Sequence, residues 1–107
     1  MVLTGLGACA TTAPPRNVEG PASAIRAAEE VGAARVPEAA LRLQLAREAL
    51  EQARGMTSET QQLAAERLLM RSQADAELAL ALARSTAARA AAQKAIDRNK
   101  GMERAVK

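Results

Sequence analysis

The stretch SETQQLAAERLLMRSQADAELALALARSTAARAAAQKAIDR, residues 58–98, decides the fold. It holds no proline and no glycine over this length. Alanine, leucine, glutamate, glutamine and arginine, all strong helix formers, dominate it. Ser58 with Gln61 three residues later reads as a capping box opening a helix. Leu69, Ser72, Ala76, Ala79, Ala83, Thr86 and Ala90 then recur at steps of three and four, the spacing of a heptad seam. Leu68, Leu80 and Leu82 flank that seam, whereas Leu78 lies off it. At about 1.5 Å per residue the pattern predicts a rod of roughly 60 Å ending near Arg98. Asn99, Lys100 and Gly101 read as its end, with residues 99–107 a frayed basic tail.

Working back towards the N-terminus, Ala39, Leu43, Ala46, Leu50 and Ala53 form a second stripe at helical spacing. A helix from Glu38 to Arg54 follows. Pro37 suits its first turn, Arg47 and Glu51 form an opposite-charge pair four apart, and Gly55 is placed for a left-handed cap. Ile25, Ala28 and Val31 predict a shorter helix over 22–34, broken at Val36-Pro37 because the residue before proline is driven out of the helical region. Residues 9–21 contain Pro14, Pro15, Gly20 and Pro21 and read as a flexible tether. The reading is therefore all-α: a short helix plus a helical hairpin with a long C-terminal helix, three helices in coiled-coil-like packing, with residues 22–98 as the helical domain.

Composition agrees with that class and excludes others. Of 107 residues, none is Phe, Tyr or Trp, so the core must come from Leu, Ala, Ile, Val and Met. Alanine is a poor strand former, and no β-branched alternating run is present. Ala74 to Ala95 is alanine-rich, but Asp75, Glu77, Arg84, Arg89 and Lys94 interrupt it, so it is not a membrane span. There is no histidine and one cysteine. That leaves no general base for nucleophilic catalysis and no plausible zinc set. Ser58 is explained as a cap and Ser72 as a small seam residue, while Glu29 and Glu30 sit on exposed faces with nothing to raise a pKa. No GxGxxG or Walker-type loop occurs, and stacking on single-stranded nucleic acid has no aromatic to use. The sequence predicts a non-enzyme without a cofactor or metal.

The formal net charge is +3, and its distribution is uneven. Arg84, Arg89, Lys94, Arg98, Lys100, Arg104 and Lys107 face only Asp97 and Glu103, while everything before Arg84 is slightly acidic. These seven cations are candidate contacts for an anionic partner such as a membrane surface, a cell-wall polymer or nucleic acid; a solvated helix end, where cations are favoured, is the simpler account of them.

Leu6-Gly7-Ala8-Cys9 resembles a bacterial lipobox. The resemblance implies transfer of a diacylglyceryl group to the Cys9 thiol and cleavage just before it. Met1 to Ala8 is apolar but holds no Lys or Arg. A full secretory signal would need more residues, so an upstream start is expected. Ala10 after the cysteine, rather than aspartate, implies sorting to the outer membrane.

Pro37, the run Leu43, Ala46, Leu50 and Ala53, then Ala65, Leu68 and Leu69, and Gln73-Ala74-Asp75-Ala76-Glu77-Leu78-Ala79, resemble the domain-of-unknown-function 4398 family of short helical bacterial envelope proteins, many of them lipoproteins. The likeness covers 24–84 and brings no catalytic residue. Met56 to Gln62 departs from it, lacking a Gly-aromatic turn.

Three functions follow as expectations. One is a periplasmic structural or scaffolding lipoprotein; a variant, similar in general features to Braun-type lipoproteins, links Lys107 to peptidoglycan. Another is a helical adaptor that docks or self-associates through the Leu69/Ala76/Ala83 face. The third is a cytoplasmic basic protein that binds nucleic acid through 84–107.

Overall fold

The computed structural model describes residues 17–106, and these form three α-helices joined by two 3₁₀ turns. Helix α1 spans Glu19–Glu30, α2 spans Pro37–Gly55 and α3 spans Gln62–Val106. No strand occurs among the described residues.

Helix α1 starts three residues earlier than expected, inside the stretch read as tether. Glycine and proline at 20 and 21 occupy its first turn. Proline is tolerated there because its missing N–H has no helical acceptor to lose. Its C-terminus comes earlier too. Gly32 adopts φ 81° and its N–H donates to the Glu29 carbonyl (3.0 Å). A left-handed glycine closes the helix, and Ala33–Arg35 continues as a 3₁₀ turn. Val36 is extended, as a residue before proline must be, and its carbonyl accepts the first α2 bond from Ala40 N (2.7 Å).

The cap expected at Gly55 is not left-handed. Gly32 alone has positive φ among the described glycines, and α2 ends when Met56 turns extended. The capping box is not formed either. The Ser58 hydroxyl donates to the Gln61 side chain (2.9 Å), and a 3₁₀ turn at Glu59–Gln61 precedes α3.

Helices α2 and α3 form an antiparallel hairpin: Ala46 meets Ser72 and Arg42 meets Asp75, so one number falls as the other rises. The predicted α2 stripe of Ala39, Leu43, Ala46, Leu50 and Ala53 is buried throughout. Facing it are Ala65, Leu69, Ser72, Ala76, Ala79 and Ala83 of α3. Helix α1 adds Ile25 and Ala28. The core is mostly alanine, which lets the backbones come close without bulky side chains between them. Arg47 does not pair with Glu51. It reaches Glu29 of α1 instead, while Glu51 takes Arg54 (2.6 Å), so the cation ties two helices rather than one turn of its own.

Candidate functional site

The last third of α3 stands apart from this packing. Every residue from Arg84 to Val106 is exposed. The seam spacing continues to Thr86 and Ala90, but both lie open to solvent, because α2 begins at Pro37 and covers α3 only as far as Ala83. The expected frayed tail is instead helical: Asn99, Lys100 and Gly101 lie within α3. One glycine in a helix costs about 1 kcal/mol, which alanine-rich neighbours offset. Arg104 also sits in the last turn, at the negative end of the helix dipole. We call residues 84–106 the arm and residues 17–83 the body.

The arm carries six of the seven predicted anion-contact cations. At about 100° per residue they fall into two sectors. Arg84, Lys94 and Arg98 share one side, and Arg89, Lys100 and Arg104 lie nearly opposite. Sequence proximity therefore did not produce one basic face. Lys107 and Cys9, with the whole lipobox, lie outside the described residues.

The face predicted for docking is occupied within the chain. Leu69, Ala76 and Ala83 are buried against α1 and α2, so they belong to the core and present nothing to a partner. The exposed apolar surface lies elsewhere. Glu38, Leu41 and Arg42 of α2 and Leu78 and Leu82 of α3 line a groove of about 320 Å³. Leu41 is 58% exposed and Leu78 is 40% exposed. Leu78, noted as lying off the seam, belongs to this second face. Ile96 (46% exposed) continues the Leu78 side of the helix along the arm, while Met102 (58%) is exposed on another side of it.

Two polar residues of the body are buried. Ser72 Oγ donates to the Ala46 carbonyl (2.6 Å), giving the small seam residue a second role as an interhelical tie. Asp75, an interruption of the alanine-rich run in the sequence, accepts from Arg42 Nη1 (3.2 Å) and lies near Arg71 Nε (3.8 Å). Its side chain is only 11% exposed. The signal that could have found it is Arg71, one helical turn earlier on the same face. Each carboxylate or hydroxyl here is committed to a structural contact. No group of three or more metal-ligand side chains occurs among the described residues, and no described helix is long and apolar enough to cross a membrane.

No curated protein and no solved structure matches the chain. One family model does, over residues 22–95: it is described as a domain of unknown function, DUF4398. The match takes in α2, most of α1 and α3 well into the arm, which is more than half of the sequence. By that measure the chain belongs to the DUF4398 family.

Proposed function

We propose that this chain is a non-enzymatic bacterial envelope lipoprotein, tethered through Cys9 at the periplasmic face of the outer membrane and acting as a structural element or helical adaptor. The observation that carries the reading is an order of features in the sequence. Leu6-Gly7-Ala8-Cys9 stands immediately before the Pro14-Pro15 to Gly20-Pro21 segment, and a helical domain follows. A lipid anchor, a spacer and a folded head are what such an element needs. The exposed arm supports an adaptor role, since a helix that buries nothing in its own chain is suited to meeting something outside it. The absence of histidine and the single cysteine support a non-catalytic role.

Metabolic labelling with palmitate, in a bacterial host and from DNA that includes the region upstream of Met1, tests the anchor. Label is expected in the protein and lost with Cys9→Ser, and the protein is expected in the membrane fraction. Intact protein that starts at Met1 with the mass of the bare polypeptide would overturn the proposal. Mass spectrometry of muramidase-released peptides tests the cell-wall version, which requires a muropeptide linked to Lys107.

A second reading draws on the arm's charge. A cytoplasmic protein binding nucleic acid through 84–107 would use the six arm cations and Lys107 against phosphate. Their division between two sides of the helix weighs against it, because only about half could face one strand.

A further inference from the structure

We propose that a second copy of this chain covers the face of α3 centred on Leu78 and Ile96, with the two α3 helices antiparallel so that each arm lies on the other copy's body. This does not rest on lipidation of Cys9 and holds in either compartment.

The face is continuous. At about 100° per residue, Leu78, Leu82, Ser85, Arg89, Ala92 and Ile96 all fall within about 40° of one line along the helix. It begins in the groove formed by Leu41, Leu78 and Leu82 and runs onto the arm. Its apolar members include exposed Leu78 and Ile96, which are larger than the small residues of the buried seam.

Register and polarity follow from the same line. A twofold axis beside Ala87 brings Leu78 opposite Ile96 of the second copy, Leu82 opposite Ala92, and Ser85 opposite Arg89. Ile96 then enters the second copy's groove. Extending outward, the same register sets Arg71 opposite Glu103, an opposite-charge pair whose members both lie on the same line. Closure is twofold and uses one patch twice, the commonest form of association for soluble chains.

Charge selects the antiparallel sense. The body carries seven arginines against nine glutamates and one aspartate, net −3. The arm carries six cations against two carboxylates, net +4. A parallel pair would lay +4 beside +4. An antiparallel pair lays each basic arm along an acidic body, with Arg89 approaching Glu38 at the groove rim. The arm also gains: a helix with no packed face is marginal in water, and pairing supplies one.

Sedimentation of the full chain carrying Cys9→Ser, which removes disulfide artefacts, tests this directly. A dimer is expected at low salt, weakening towards molar salt, where the Debye length falls to about 3 Å. Ile96→Glu is expected to raise the dimer dissociation constant by about tenfold or more. Its circular dichroism should stay near that of the parent, because Ile96 is not part of the body's core. Spin labels on Met102→Cys, which lies off the paired face, report polarity. Thirty residue-rises of about 1.5 Å place them about 45 Å apart along the axis in the antiparallel dimer. A short label separation would overturn the arrangement. So would a chain that stays monomeric at its highest soluble concentration in low salt, a dimer that Ile96→Glu leaves intact, or a monomer that binds only anionic vesicles.

Discussion

Two halves of one helix can be compared with little else changing. Residues 62–83 and 84–106 of α3 are both alanine-rich, and the three-four spacing runs through both, yet the first half buries Ala65, Leu69, Ser72, Ala76, Ala79 and Ala83 while the second buries nothing. The boundary is not written in α3. It lies where the covering hairpin partner starts, at Val36-Pro37, together with the turn Gly32 opens. Periodicity in a helix thus reports a capacity to pack, and the neighbouring chain decides how much of that capacity is used.

Truncating an apolar side chain in each region should separate them most. Leu43 is 1% exposed between α2 and α3. Leu43→Ala should destabilise the chain by about 2–5 kcal/mol in urea unfolding, through lost transfer energy and a cavity. Ile96→Ala on the arm should change unfolding by less than about 0.5 kcal/mol when measured at dilutions where the chain is monomeric. Equal costs at the two positions would mean that the arm is packed and the comparison false.

Overfilling gives the next contrast. Ala76 and Ala90 occupy equivalent seam positions two heptads apart, but Ala76 is fully buried and Ala90 is exposed. Ala76→Leu should cost about 1–3 kcal/mol in thermal or urea unfolding, because the close helix approach leaves no room. Ala90→Leu should be close to neutral.

Buried charge follows. Asp75→Asn weakens the contacts to Arg42 and Arg71, and about 1–2 kcal/mol is expected, less than for a fully buried pair because both arginines are open to solvent. Asp97 on the arm has a side-chain bond from Gln93 (2.9 Å). Asp97→Asn should shift unfolding by no more than a few tenths of a kcal/mol. A double-mutant cycle with Arg42→Ala checks that the Asp75 loss comes from the pair.

Much of this body was legible in the residues. The α2 stripe from Ala39 to Ala53 and the α3 seam from Leu69 to Ala83 are the core, because apolar spacing and burial are two statements about one helix face. What the sequence hid is what depends on other elements. Arg47 had Glu51 within reach on its own helix, yet Glu29 on α1 takes it, and no local rule ranks a partner that folding delivers. The Leu69/Ala76/Ala83 face looked available to a partner because its cover, α1 and α2, could not be positioned from the pattern alone. Leu78 looked like an irregularity in one seam and is a member of a second face, visible once Leu41 and Leu82 stand beside it. Local turn chemistry misled at two glycines and passed over a third. Gly55 reads as a left-handed cap and Gly101 as a helix end, yet neither is; Gly32, inside the helix expected over 22–34, is the one that takes the left-handed conformation, and only backbone conformation distinguishes them.

That last distinction supplies the smallest and cleanest test. Gly32 has φ 81°, a conformation that costs a residue with a Cβ about 1–2 kcal/mol. An added Cβ would also sit 2.7 Å from Arg35 Nη2, though that side-chain end can move. Gly32→Ala should therefore lower body stability by about 1 kcal/mol or slightly more. Gly101 sits in ordinary helical backbone, and beyond its own turn of helix no atom lies within 4 Å of the place a Cβ would take. Gly101→Ala should favour helix in the arm by about 1 kcal/mol. Because the arm adds nothing to the core, that gain should appear as greater helical circular dichroism and slower amide exchange near residue 101, with the body's unfolding midpoint unmoved. A midpoint that rises with Gly101→Ala would show the two halves of α3 unfolding as one unit, coupling the arm to the body along the helix backbone even where no side chain joins them.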